Sequence, residues 1–501
     1  MQAFQAKNSP NKAFAANDFS QNEGIDRLSP LSLSLETLLG VSPILGHSLE
    51  SRAEIRQRQD LGLLEEVQSV SDIQLEDERV RKMFAVAPLD VLVESSQNGP
   101  IFHIIELNGS GIGGLTNMTE EAVSATLKSI AEPANFSQVK DGVFLVGSSG
   151  MESAEKPRRN RLIYEKILYA EALRNQIREL GSDPIITTAS QYEQNPEQYL
   201  SLSKPIIVVG YLKELLAGLS QDQDRFYFYR NPVRMIINDR LCLNALSLEG
   251  SHWPFRDTIP ANGTFLPGAD KGVVYRLLNE FLPVHAGPYA PRKVGYQTAK
   301  DRQSLIEQVY AQVKAENKCL IKPQGTGLSH GIEFFLDSSE PLESITTRID
   351  ESIAMVNGYY GLPDDGAFPY TICDYIDTAV IQAERHALQG HKYELRIVVY
   401  RDGMKLRAFP TIIKASAFIF DAENLDRSML INNITASSCS TQKSGVDYML
   451  PLCNFETLQI LGLNVEELAS VCKMATNFVR YTIDEVIAKP SDFMLSSSFF
   501  E

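Results

Sequence analysis

Three short segments hold residue types whose spacing could do chemistry. The first is Leu320-Ile321-Lys322-Pro323-Gln324-Gly325-Thr326-Gly327-Leu328-Ser329-His330-Gly331. It sets a lysine at the end of an apolar strand and follows it with a glycine-rich loop. Where no Cβ intervenes, backbone amides can approach a phosphate closely, and the ammonium adds a point charge, so the pairing predicts a polyphosphate site. The loop lacks the GxxxxGK(S/T) spacing of a Walker A motif, and a purely structural glycine-rich hairpin could have the same composition.

The second segment runs Tyr393-Glu394-Leu395-Arg396-Ile397-Val398-Val399-Tyr400, then Asp402-Gly403 and MKLRAFPTIIKAS. Period two sets Glu394, Arg396 and Val398 on one strand face and Leu395, Ile397 and Val399 on the other. Asp402-Gly403 signals a hairpin, from which Arg396, Arg407 and Lys414 could form a basic cluster suited to phosphates. A solvated strand face laced with ion pairs is the other reading.

The third segment is an expected hairpin of DVLVE (90–94) and IFHIIEL (101–107), joined by the turn-rich SSQNGP. Glu106 and Asn108 are two apart and share a face, so both side chains could reach one cation. A loop centred on Asn98 sets Asp90 opposite Glu106 and adds a third oxygen donor. A tight Asn98-Gly99 turn would send Asp90 to the other face and place Pro100, which has no N–H, at a paired position, so the longer loop is preferred. Carboxylate and amide oxygens are what Mg²⁺ takes while it also binds substrate phosphates. A charged edge strand is the alternative.

These segments need a scaffold. A strand (GVFLVGSSG), a helix (RLIYEKILYAEALRNQIREL) and the strands PIITT and PIIVVGY read as a Rossmann-like α/β unit from about residue 141. In that helix Ile163, Ile167, Ala170, Leu173, Ile177 and Leu180 form one apolar stripe. The turn Gly147-Ser148-Ser149-Gly150 lacks GxGxxG spacing and reads as a plain strand-to-helix turn. Further on, a helix is expected over about 299–317, a strand over 319–323, and a long helix over about 464–487. Residues 1–70 read as an N-terminal extension, partly mobile or helical. The whole is α/β and α+β, not a bundle, and has no solenoid repeat.

Composition narrows the function. The 501 residues carry 47 Lys plus Arg against 63 Asp plus Glu, a formal charge of −16, whose field repels nucleic acid and anionic lipid. No apolar run of membrane-spanning length and no signal-peptide h-region is visible, so the expectation is a cytoplasmic protein with neither nucleic-acid nor membrane partner. Six cysteines without CxxC spacing and seven histidines without HxH or HxxxH argue for buried thiols and against a transition-metal site.

Together the segments resemble the ATP-grasp superfamily, in which ATP lies between two α/β subdomains above a carboxylate-lined magnesium site. IKPQGTGLSHG is similar to the family's phosphate lysine and glycine loop, TICDYID (371–377) to its adenine-contacting linker, YELRIVVYRDG to its arginine-bearing strand, and LINNITASS (430–438) with PLCN to its Asn-containing segment. VRMIINDR resembles the entry from a pre-ATP-grasp domain. The family's Glu-x-Asn motif follows the last long helix, where this chain has only KPSDFMLSSSFFE. APLDVLVESSQNGPIFHIIELNGSG instead looks like that final hairpin, and PLDVLVESS resembles the terminal PSDFMLSSS.

The resemblance therefore implies a circularly permuted carboxylate-amine ligase, with the permuted segment at 71–135, the pre-ATP-grasp Rossmann-like domain at 136–238 and the ATP-binding subdomains at 239–501. It implies ATP contacts from Lys293, Lys322, Gly325, Thr326, Gly327, Ser329, Gly331, Asp374, Tyr375 and Ile376. Catalytic roles fall to Lys322, Arg396 and Arg407, and Mg²⁺ or Mn²⁺ ligation to Asp90, Glu106 and Asn108. Amino-acid-like carboxylate and amine substrates follow by analogy, and a homo-oligomer is left open. A non-catalytic ATP-binding regulator and a small-molecule kinase are the alternatives.

Overall fold

The computed structural model describes residues 54–109, 115–136, 143–146, 160–182, 184–188, 206–209, 233–237, 259–260, 271–283, 289, 293–323, 326, 329–360, 364–433, 445–493 and 500. Three sheets organise them, two antiparallel and one parallel.

The largest sheet runs in the order Ile73–Gln74, Lys405–Ile419, His391–Asp402, Val86–Ser96, Gly99–Leu107, with Met449–Pro451 pairing with Lys405–Ile419. Its centre is the expected second hairpin. Asp402 pairs with Lys405, and Gly403 takes φ +60° at the first turn position, as a two-residue connection between twisted strands requires. The early hairpin joins directly, Val86–Ser96 pairing antiparallel with His391–Asp402. Leu61–Ser71 forms a helix whose Asp60 cap accepts from Leu63 N, and its Leu63, Leu64 and Val67 are buried. It packs on the helix Val465–Ala488 and on Lys405–Ile419, so this end of the expected N-terminal extension belongs to the core.

A smaller sheet runs Glu333–Phe335, Cys319–Pro323, Tyr370–Asp374, Tyr296–Ala299. Alternation divides the central strand. Cys319 and Ile321 enter a core shared with Val309, Ile345 and Ile349 of the helices Arg302–Lys314 and Leu342–Tyr360, while Leu320 belongs to the larger core and Lys322 shares its parity. Beyond this sheet Gly331 takes φ +70°, and an added Cβ would lie 2.5 Å from Val356 Cγ2 and 2.9 Å from Pro323 Cγ. Gly331→Ala is expected to lower stability by about 2–4 kcal/mol, from left-handed strain plus overpacking. Urea denaturation checks it, and an unchanged midpoint contradicts it.

The third sheet is parallel, in the order Ile185–Thr188, Val143–Val146, Ile206–Val209, Val233–Ile237, Ile259–Pro260. The first strand lies between the second and third, a reversal of strand order seen in doubly wound sheets. The helix Asn160–Glu179 packs on Val143–Val146 and on the helix Glu120–Ala131, burying Leu173 and Ile177 of the expected stripe. The turn 147–150 lies outside the described residues.

Cys319, Cys373, Cys453 and Cys472 are free and buried; Cys242 and Cys439 lie outside the described residues. Among the described residues no helix is long and apolar enough to cross a membrane. The likeness of PLDVLVESS to PSDFMLSSS has no structural counterpart over the described part, since the first is strand and Pro490–Phe493 is a 3₁₀ turn.

Candidate functional site

The early hairpin reaches the expected pairing by a different route. Ser96 pairs with Gly99, so the connection is the two residues Gln97 and Asn98 rather than a longer loop. With that turn alone Asp90 would face Ile105. A β-bulge between Asp90 and Val91 in the ladder skips Ile105, so that Val91 pairs with Ile104 and Asp90 with Glu106. Pro100 is tolerated because Gly99–Leu107 is the edge strand. Phe102 N donates outward to Tyr289 O, and Pro100, two residues before, presents its missing donor to that same side.

Asp90 faces Arg396 as a direct cross-strand partner. Arg396 Nε and Nη2 donate to Asp90 Oδ1 and Oδ2 at 2.8 and 2.7 Å, a bidentate pair, and Lys414 Nζ donates to Oδ1 at 3.0 Å. Lys414 also pairs with Glu394, its own cross-strand partner. Burial alone would raise the Asp90 pKa, but Arg396 and Lys414 outweigh it and hold the carboxyl far below the usual range. Glu394 goes the other way. Burial, reinforced by Asp90 and only partly offset by Lys414, pushes its carboxyl up to about 7.

This raised value has a sign. Folded Glu394 keeps its proton to about pH 7, whereas its ordinary value is 4.5. Between those limits the native state binds more protons than the unfolded chain, so stability falls as pH rises. Glu394→Gln cannot titrate and is expected to flatten that part of the stability curve; an unchanged slope contradicts the assignment.

The helix Lys271–Phe281 connects this face to the small sheet. Lys271 pairs with Glu106, and one turn on, Tyr275 Oη accepts from Lys322 Nζ at 2.9 Å. Positions i and i+4 share a helix face, so Glu106 and Lys322 are held by neighbouring side chains. Burial pulls the Lys322 pKa down, but Tyr275, Cys373 and Glu106 outweigh it and raise it above the ordinary lysine value. The phenol is itself raised by burial and so neutral at pH 7, and Glu106 adds a smaller negative contribution at this lysine. The assembled groups are Lys271, Lys322, Arg396 and Lys414 against Asp90, Glu106 and the partly protonated Glu394, a net positive cluster inside an acidic protein.

As a donor set, Asp90, Glu106 and Asn108 are all-oxygen, which suits Mg²⁺. Asn108 Nδ2 lies 3.4 Å from Asp90 Oδ2 and Glu106 pairs with Lys271, so a cation held by Glu106 and Asn108 would compete with that ammonium. Asp90 fits less well as a direct ligand, because both its oxygens already meet Arg396 and Lys414. Among the described residues no group of three or more His, Cys, Asp or Glu gathers as a metal site.

The other expected site residues divide. Thr326 is buried and donates to Pro323 O at 3.0 Å; Ser329 has φ +60°, and its carbonyl accepts from Arg427 at 2.7 Å. Gly325, Gly327 and residues 434–438 of the expected Asn-containing segment lie outside the described residues. Lys293 is exposed. Asp374 Oδ2 accepts from Gly295 N at 2.7 Å, clamping the chain entering Tyr296–Ala299, while Tyr375 N donates to Lys318 O and Ile376 is buried. Arg407 is not brought to the cluster. It pairs with Asp72 and Asp402 and donates to Gln68, opposite Tyr400, roughly 13 Å along the strand from Arg396.

Sequence reasoning missed Lys271 and Tyr275. Their i, i+4 spacing was a signal, but Tyr275 sits among Val274, Leu277 and Leu278 and reads as core.

No protein-family model matches the chain, and no curated protein does. Among solved structures it is similar to one described as "Putative gamma-glutamylcysteine synthetase" from Methylobacillus flagellatus KT, at 11% identity and a TM-score of 0.39, over 89% of this chain and 98% of that one.

Proposed function

We propose that the protein is an ATP-dependent carboxylate-amine ligase of the ATP-grasp type, forming an amide or peptide bond with release of ADP and phosphate. In this reading residues 71–135 are the permuted segment, 136–238 the pre-ATP-grasp domain and 239–501 the ATP-binding subdomains. One observation carries it: the hairpin Val86–Leu107 is hydrogen-bonded beside His391–Asp402, so Asp90 and Glu106 share a face with Arg396 and Lys414, and Glu106 meets the helix that holds Lys322.

A carboxylate is a poor acyl electrophile. Its oxygen first attacks the γ-phosphate to give an acyl phosphate and ADP; an amine then attacks the acyl carbon, and phosphate leaves with the former carboxylate oxygen. Lys322 binds the nucleotide phosphates. Arg396, anchored by Asp90, stabilises charge on the transferring group with Lys414. Glu106 and Asn108 would hold Mg²⁺, which would supply positive charge to screen repulsion between the triphosphate and the carboxylate. The loop Gly325 to Gly331 would exclude water from the acyl phosphate.

One observation favours a second reading. Glu106 and Asp90 are already paired with the chain's own cations, as a regulator that binds ATP without turnover would allow. Release of ADP from ATP and Mg²⁺ with pooled amino acids and carboxylic acids, with mass spectrometry of products, separates the two. The ligase reading expects a condensed product, lost in Glu106→Ala; full turnover in that variant overturns the metal assignment, and ATP binding without turnover for any acceptor favours the regulator.

A further inference from the structure

We infer that Tyr275 is a positioning residue that fixes the Lys322 ammonium for the nucleotide, an inference resting on the ATP-binding reading above. Lys322 is the penultimate residue of its strand, and its ammonium sits on a flexible four-carbon stem, so with no fixed partner it would be spread over many rotamers. Here it is confined. The Tyr275 phenol accepts one of its three protons at 2.9 Å, and the ammonium lies 5.3 Å from the centre of the same ring.

The tyrosine is itself immobilised. Its ring stacks on Tyr296 at 6.0 Å with an interplanar angle of 24°, and Cys373 Sγ donates to its hydroxyl at 3.5 Å. Lys322 and Tyr275 are both buried, so this contact forms away from bulk water, where a hydrogen bond to a charged group counts most. The geometry adds a second constraint. Tyr275 stands one helical turn from Lys271, the partner of Glu106, so the contact that holds the Lys322 ammonium comes from a helix rather than from a loop.

Because phenylalanine keeps the ring and the stack, Tyr275→Phe removes only the oxygen. Calorimetric titration of the full-length chain with ATP and Mg²⁺ is the test, for wild type, Tyr275→Phe, Lys322→Met and the double variant. One hydrogen bond to a charged group predicts about tenfold weaker ATP binding in Tyr275→Phe. The thermal midpoint should fall by no more than a few degrees, the cost of one buried acceptor lost, and in turnover KM for ATP should rise far more than kcat falls. In the Lys322→Met background the same change should have no further effect, since there is no ammonium left to position. Wild-type affinity in Tyr275→Phe overturns the inference alone, as does an equal loss in both backgrounds, which marks a general packing role. Absence of ATP binding by wild type overturns the ligase reading and this inference with it.

Discussion

Lys322→Met is expected to lower ATP-dependent turnover by roughly 10²-fold or more while leaving stability unchanged or slightly raised. Lys322 is buried, held by Tyr275 and within the field of Glu106, at the end of a strand whose alternate residues Cys319 and Ile321 serve the small core. Methionine fills a similar volume and removes only the charge, so loss of activity cannot be ascribed to a cavity. A desolvated ammonium replaced by an apolar group of like shape is often neutral for folding, because the burial penalty disappears with the charge. Initial rates of ADP release beside a urea melt check both halves. Turnover within a few-fold of wild type would remove Lys322 from the phosphate site.

Asp90→Ala is expected to act in the opposite sense, destabilising the fold by about 3–5 kcal/mol, because it takes the shared carboxylate from buried Lys414 and partly buried Arg396. Asp90 is 3% exposed and accepts from Arg396 twice and from Lys414 once. Without it Arg396 loses its bidentate partner and Lys414, among the described residues, keeps its pair with Glu394. Removing the Asp90 charge also removes one cause that raises the Glu394 pKa, so the falling limb of the stability curve should end at lower pH and be shallower in total. Urea denaturation across pH tests this. A loss below about 1 kcal/mol would mean that solvent replaces the carboxylate and that the network is not sealed.

Much of this face was legible because strand period and turn chemistry are local. Asp402-Gly403 marks its hairpin, and alternation over Glu394-Leu395-Arg396 sorts polar from apolar residues before any partner is known. The pairing of Asp90 with Glu106 was reached by an incorrect mechanism. Pro100 argues against a tight turn if its paired position needs an N–H; on the outer side of an edge strand the missing N–H is harmless, and the bulge at Ile105 restores the parity the shorter turn would have lost. Bulges depend on what lies across and beyond the strand, which local pattern does not encode.

Long-range pairing explains the other differences. Arg407 was placed by its proximity to Arg396 in the hairpin, but Asp72 lies beside it only because Ile73–Gln74 adds to that edge. Asp374 sits where a nucleotide-contacting linker was expected, yet its carboxylate is used to hold Gly295, 79 residues away. Lys271 and Tyr275 gain meaning only from Glu106 and Lys322, which come from two other parts of the chain.

The most direct test of the central claim follows one oxygen atom. Carboxylic acids labelled with ¹⁸O in the carboxylate are supplied with ATP, Mg²⁺ and amines, and the released phosphate is analysed by mass spectrometry. An acyl-phosphate ligase transfers one labelled oxygen from each acid to phosphate, in step with amide formation and only when an amine is present. Phosphate released without label would mean that water, not a carboxylate, attacks ATP, and would contradict the account.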